Sequence, residues 1–515
     1  MPYDDTKTAK TVSMVMIIML AAKASGLLRD SLILRRFGTH SEAAAAFAFA
    51  SQIPRDFLDV AFASAISASF IPVFNSYLER RTRTDAINLA NNFIAVVSIL
   101  ATAASLAIFL SANAIAAFWL AAESSDTIAL AAQLLRYMSI TVLLASLAFS
   151  LTGIVQSLGQ FSIPAAMSLL SNVLIVGYLL LFDIPNVVGL TIVFVIGNIS
   201  QVIIIIPPLI KRGFRFKFVL RPKDAGMRQI YRLTPMVLIG SWLFPINSLI
   251  NSNIAARYSR AAMVQLRAAN TLYLVIAGVF VLSLTNVIFP RLSRQASMNK
   301  TNGDPFAASL ISAIRAGIIF LIPMSVGLAI LAVPVIRLFF EGDEFDAVST
   351  AYTAHALRFF TFGMLGFGLQ AILSRAFFSL MDGKTPMLIS LVAIVVNSAI
   401  AISVTVWLGV GGPALAASVS INVAALLMLV FMHRRKPILS AALGALFIKS
   451  LVAAALMAAA VLLILHLTAN APQLVTLAAA TATGALIYFA AAYVLKIPEI
   501  CLIRTALTER SRRNE

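Results

Sequence analysis

Six charged residues lie inside two apolar stretches near the start of the chain: Lys23, Arg29 and Asp30 in the first, and Arg55, Asp56 and Asp59 in the second. Each stretch is long enough to cross a bilayer. An ionised side chain there is costly unless a partner or a polar cavity receives it. A helix starting near Thr11 carries Lys23 about 18 Å along its axis, roughly mid-membrane. Helical spacing puts Lys23 and Asp30 on one face, turns Arg29 away from Lys23, and lets Arg55 pair with Asp59 one turn later. Two readings follow: local ion pairs that neutralise buried charge, or a site for an anion. Asp56 and Asp59 also resemble the paired carboxylates of an intramembrane enzyme, but Arg55 beside them favours a structural salt bridge.

More basic residues sit within later apolar runs. Arg136, Arg267 and Arg358 are deep in theirs, whereas Arg315 and Arg375 lie nearer the ends, where a tie to a neighbouring helix is the simpler role. Lys23, Arg29, Arg55, Arg136, Arg267 and Arg358 face only Asp30, Asp56 and Asp59 as in-span acids, so a cavity lined by them is net positive. Guanidinium presents planar donors and ammonium a point charge, a combination suited to a diphosphate. Further on, Asn247, Ser248, Asn251, Ser252 and Asn253 follow Pro245. That polar face suits a bend, a cation site at Asn247 and Asn251, or interhelical hydrogen bonds, the last being the default.

Other chemistries find no support. There is no phosphate-cradling G-x-x-x-x-G-K-[ST] loop, and His40, His355, His433 and His466 are too scattered for a local metal motif. The single cysteine, Cys501, excludes an internal disulfide and a thiolate zinc site. No cofactor is expected.

The elements that position these residues are membrane helices. A composition that is 60% hydrophobic and 12% charged, with mean hydropathy +0.94, marks an all-α polytopic membrane protein. Ala22-Lys23-Ala24 resembles a signal-peptide cleavage site, but apolar residues resume at Leu27 and Leu28, so the segment reads as a first transmembrane helix. Apolar runs predict fourteen transmembrane helices, near 11–36, 43–76, 88–118, 127–158, 162–182, 186–210, 234–257, 264–290, 306–338, 348–381, 385–408, 410–432, 440–467 and 472–495. Alternate loops and both tails hold 25 basic residues and the opposite loops 5, with Glu341, Asp343, Glu344 and Asp346 also on the poorer side. That bias places both termini in the cytoplasm. It also accounts for the net charge of +18 through anionic membrane lipids rather than nucleic acid. The basic stretch Lys211 to Arg232 contains aromatic residues, but these suit an interfacial helix as well as they suit base stacking.

An internal repeat organises the spans. Pro164 and Pro386, like Arg136 and Arg358, are 222 residues apart, and Pro72 and Pro290 are 218 apart. Spans 1–6 and 7–12 therefore read as two six-helix lobes in parallel pseudo-two-fold repeat. The expected layout is an N-terminal lobe over 1–210, a basic cytoplasmic linker over 211–233, a C-terminal lobe over 234–436, and two extra helices with a basic tail over 437–515. Two lobes with a site between them is a transporter plan.

Several short motifs carry a resemblance: Gly26-Leu27-Leu28-Arg29-Asp30, Phe70-Ile71-Pro72-Val73, Gln160 to Ala165, Ala269 to Tyr273, Phe289 to Ser293, and Arg375 to Pro386. In this order they resemble the MurJ/MviN lipid II flippase family, within the superfamily of multidrug, oligosaccharidyl-lipid and polysaccharide exporters. The resemblance implies fourteen helices, a cationic cavity between the lobes, and a lipid-tail groove formed by the last two helices. It further implies movement of an undecaprenyl-diphosphate-linked peptidoglycan precursor between leaflets by alternating access in the bacterial inner membrane, with cell-wall synthesis machinery as a partner. Arg29 falls on a family cavity arginine. Lys23 keeps only the charge at a second such position, and Leu58 and Thr271 replace two others. Arg55 and Arg267, three and four residues earlier, can present a cation from nearly the same helix face. The remaining readings are an exporter of another polyprenyl-linked glycan or of a cationic drug, an intramembrane enzyme, and an assembly scaffold. A cationic drug calls for an acidic cavity, opposite to the excess here.

Overall fold

The computed structural model describes residues 5–52, 66–121, 123–158, 160, 162–182, 186–296, 304–380, 382–468 and 470–497. Among them are seventeen α-helices, one π-helical turn over Ile66–Phe70, and no strand. The first series comprises α1 (Asp5–Phe37), α2 (Glu42–Gln52), α3 (Ile71–Arg80), α4 (Arg83–Trp119), α5 (Ser125–Ser157), α6 (Ser162–Leu181) and α7 (Val187–Lys211). The second comprises α8 (Ala225–Tyr258), α9 (Arg260–Ala296), α10 (Pro305–Ile330), α11 (Ala332–Phe340), α12 (Ala347–Phe362), α13 (Met364–Ser379), α14 (Lys384–Leu408) and α15 (Gly411–Arg435). The last pair is α16 (Ala441–Leu467) and α17 (Gln473–Val494).

Ten helices among the described residues are long and apolar enough to span a membrane, or up to eleven if α12 and α13, bent by 44°, form one span. The sequence predicts fourteen; of the three others, near 11–36, 43–76 and 234–257, the first and third coincide with α1 and α8, and the second runs into residues outside the described set. The repeat is visible in the helix starts. Arg83 and Pro305, Ser125 and Ala347, and Ser162 and Lys384 are each 222 residues apart. Pro164 and Pro386 are each the third residue of a helix, where a missing N–H costs no intrahelical bond.

Helix ends follow local sequence. Thr82 and Asp85 cap α4 reciprocally, Ser124 caps α5 through the Thr127 amide, and Asn186 and Asp224 cap α7 and α8. The break between α12 and α13 falls at Gly363, where a Cβ would lie 2.8 Å from the Ser418 Cα. Only glycine permits that approach. The carbonyls released at the break find donors on α15: Ser418 Oγ reaches Phe359 O at 2.6 Å, and Asn422 Nδ2 reaches Phe362 O at 3.1 Å.

The chain divides into two compact units, one of residues 1–264 with 342–346, the other of 265–341 with 347–515. The first takes in α8, which the repeat alone would assign to the second lobe. Its core centres on Phe70, stacked on Phe93 at 4.3 Å and on Phe74 at 5.3 Å between centroids. In the second unit α16 packs on α10, and the buried Tyr488 hydroxyl of α17 donates to Ile319 O at 2.7 Å.

The basic stretch from Lys211 to Arg232 is helical at its ends, in α7 and from Ala225 in α8, and not helical between them. Residues 214–221 form neither helix nor strand, and two buried asparagines of α4 take backbone groups of this segment. Asn91 bonds Arg215 O at 2.9 Å and Lys217 N at 3.3 Å, while Asn92 bonds Arg221 O and Arg221 N, both at 2.8 Å. Side-chain amides replace the helical ladder.

At the end of α15, Arg435 pairs with Asp382 at 2.6 Å and Lys436 with Asp304 at 2.5 Å. Burial pushes the Asp382 carboxyl up, but the Thr385 hydroxyl and amide and the Arg435 guanidinium outweigh it and hold the group below the usual carboxylate range. A depressed value in the folded state gives stability that is complete above the unfolded value, near 4, and lost as pH falls through the folded one. The melting-temperature difference between wild type and Asp382→Asn in detergent is expected to be constant from about pH 7 to pH 5 and to shrink below about pH 4.

Candidate functional site

Arg29 lies on α1, where an arginine must be held by more than one partner to keep a fixed geometry. Its Nε donates to Asp30 Oδ1 at 2.9 Å, its Nη2 lies 2.8 Å from the same oxygen, and its Nη1 donates to Asn172 Oδ1 on α6 at 2.9 Å. Both charged side chains are largely buried, at 13% and 17% exposure. Asn172 is itself fixed, its Nδ2 donating to Ser25 Oγ at 3.0 Å and to Ala22 O at 3.2 Å. Ser25 Oγ in turn donates to Ala22 O at 2.9 Å. The amide thus orients the guanidinium from a helix 143 residues away.

Sequence spacing linked Asp30 to Lys23 by a shared face; the structure places Asp30 against Arg29. Lys23 is exposed and, among the described residues, has neither an ion pair nor a hydrogen bond. The Arg136 side chain, half-buried eleven residues past the Ser125 start of α5, likewise has none among them, although the Arg136 carbonyl accepts from Ser139 Oγ at 2.8 Å. Its repeat counterpart Arg358, eleven past the Ala347 start of α12, donates Nε to Ala329 O at 3.3 Å. Equivalent positions therefore have different roles: one cation is tied to a helix end and the other is open. Arg267 on α9 is half-buried and engaged, one turn before the half-buried Thr271. Arg375 sits over the Phe289 ring at 5.4 Å, a structural tie of the kind its position suggested. Arg55, Asp56, Leu58 and Asp59 lie outside the described residues.

The polar face of α8 makes interhelical bonds. Gln52 Nε2 donates to Ser252 Oγ at 2.8 Å, and Asn253 Nδ2 to Trp119 O at 3.2 Å. Asn251 is buried and bonded, while Asn247 has a buried Oδ1 without a partner among the described residues. Beyond this face, Arg260 at the start of α9 meets Glu123 at 2.6 Å and Glu42 at 3.6 Å. No cluster of three or more metal-ligating side chains occurs among the described residues. Sequence reasoning missed Asn172. A lone asparagine in an apolar run carries no pattern, and only packing reveals its partner.

The model of the family described as "Lipid II flippase MurJ" matches residues 34–483. The chain belongs to this family. Among curated relatives, the probable lipid II flippase MurJ of Vibrio cholerae is 27% identical over 426 residues, covering 80% of each chain. That of Rhizobium meliloti is 24% identical over 512 residues, covering 95% of this chain and 94% of its own. Among solved structures, lipid II flippase MurJ in an inward closed conformation superposes with a TM-score of 0.79 at 22% identity, over 94% of this chain and 98% of that one. An inward-facing multidrug resistance transporter of the MATE family gives 0.68 at 15% identity, over 84% and 98%. These two likenesses establish a shared helical fold. They bear on architecture, not on cargo.

Because Asn172 serves both Arg29 and the α1 backbone, Asn172→Ala is expected to cost about 1–3 kcal/mol of stability by leaving those groups unsatisfied. Denaturation of the detergent-solubilised protein in a double-mutant cycle with Arg29→Ala should show a coupling of at least about 0.5 kcal/mol. Strict additivity would mean that the two side chains do not act together.

Proposed function

We propose that this protein flips a lipid-linked diphosphate, the lipid II cargo for which its family is named, from the inner to the outer leaflet of the bacterial cytoplasmic membrane by alternating access. In this reading both termini are cytoplasmic, and cell-wall synthesis machinery receives the product. The observation that carries it is the held guanidinium of Arg29 within the first long helix. Such a group presents donors in fixed directions, as phosphate recognition requires. Lys23 and Arg136, whose side chains have no partner among the described residues, support it as cations free to meet an incoming anion. Arg55 and Arg267 are proposed to supply the charge that Leu58 and Thr271 lack, and Arg358 contributes to the same positive field. Asp30 sets Arg29, with Asp56 and Asp59 as further charge partners, and Asn247 and Asn251 form a hinge or cation site.

The direction of transport follows from charge. A diphosphate carrying about two negative charges gains about 2.3 kcal/mol per charge per 100 mV on leaving an inside-negative cell, if it crosses the whole field.

In proteoliposomes containing a fluorescent lipid diphosphate, Lys23→Ala with Arg136→Ala is expected to slow leaflet exchange at least about tenfold, and Arg29→Lys to retain part of the rate. A leaflet-accessibility assay on folded, inserted protein measures this. Unchanged exchange in the double variant would remove the anion site from the account.

A further inference from the structure

A second cationic site lies at the end of the first unit that carries the basic stretch, well away from Arg29 in sequence. Leu78, Arg83, Thr84, Ile87, Leu158, Lys211, Arg212 and Gly213 line an open cavity of about 890 Å³. Three of these residues are cations and none is an acid. Arg83, Lys211 and Arg212 form no ion pair among the described residues. Two acids adjoin lining residues in sequence: Asp85 is committed to the cap of α4, accepting from Thr82 Oγ1 at 2.8 Å, and Glu79 is exposed and does not line the cavity. Arg83 donates through Nη2 to the Arg212 carbonyl, which joins the start of α4 to the end of α7 and closes one side of the cavity. Gly213, at φ +77°, makes the turn behind it.

Depth identifies the ligand. The cavity forms where α4 begins and where α5 and α7 end, and all three are membrane-spanning by length and hydropathy. Charged walls at the ends of apolar spans sit at the level of lipid headgroups. The non-helical segment that leaves the cavity adds an independent observation. Asn91 and Asn92 hold it with Phe216 47% exposed and Phe218 80% exposed, interleaved with exposed Arg215 and Lys217. Pinned aromatic rings beside cations match an interface between acyl chains and headgroups better than they match water. We propose that this cavity binds the phosphate of an anionic phospholipid from the surrounding leaflet, with Lys211 and Arg212 as its principal ligands and Arg83 as a third. Leu78, Ile87 and Leu158 then meet the upper part of the acyl chains. This lipid is a resident of the bundle end, separate from any transported cargo, and the proposal stands whether or not the transport reading does.

The test uses the full chain in a neutral detergent, titrated with phosphatidylglycerol, with phosphatidylcholine of the same chains, or with glycerol 3-phosphate, with bound ligand read by native mass spectrometry. Saturable phosphatidylglycerol binding is expected, weakened about fivefold for each charge removed in Lys211→Gln and in Lys211→Gln with Arg212→Gln. Arg83→Lys should keep binding within about twofold, which controls for the structural bond to Arg212. Arg215→Gln with Lys217→Gln, on the segment outside the cavity, should change it by less than about twofold. Equal weakening by that outer pair, or equal binding of phosphatidylcholine, would replace the site by diffuse attraction and overturn the proposal. Glycerol 3-phosphate binding as tightly as phosphatidylglycerol would assign the cavity to a soluble phosphate and overturn the lipid assignment. Melting temperatures measured without lipid show whether each variant is folded.

Discussion

The cost of a charge or an unpaired polar group in hydrocarbon governs this structure more than any other term. Every in-span cation must be answered by a carboxylate, an amide, a carbonyl or an aqueous space. The described residues show several of these solutions side by side. Arg29 has Asp30 and Asn172, Arg358 has the Ala329 carbonyl, Arg375 has the Phe289 ring, and Lys23 and Arg136 have no such partner among the described residues. Each of the first three is held by a partner. Only Arg29 combines a fixed orientation with a place on the helix where the family resemblance puts a cavity arginine.

The same constraint shapes the backbone. A membrane helix can break only where its released carbonyls find donors, and the bend at Gly363 satisfies that condition through Ser418 and Asn422 of α15. At the membrane ends the solution differs, because polar side chains substitute for lost helical bonds. Asn91 and Asn92 fix a non-helical basic segment, and Asp304 and Asp382 fasten the end of α15.

Much of the architecture was legible in the sequence, since apolar run length and proline position report directly on helices and their starts. The offset that relates Pro164 to Pro386 reappears in the starts of α4 and α10, α5 and α12, and α6 and α14. Less legible were features that depend on what packs where. The aromatic residues of Lys211 to Arg232 suit an interfacial helix as well as base stacking, but what holds the non-helical part between α7 and α8 is Asn91 and Asn92, more than a hundred positions away. Asp30 shares a helix face with Lys23 by periodicity, yet a short bond to its neighbour Arg29 prevails. Repeat symmetry equated Arg136 with Arg358, and only the coordinates show that one of them spends its guanidinium on a helix end.

The central claim is that cations retained in the membrane interior receive a phosphorylated lipid headgroup. The most direct measurement is a structure of the full chain with a lipid-linked diphosphate bound. The account predicts phosphate density within hydrogen-bonding distance of Arg29, with Lys23 or Arg136 turned toward it. Cargo density remote from all three, with the Arg29, Asp30 and Asn172 bonds unchanged, would contradict it.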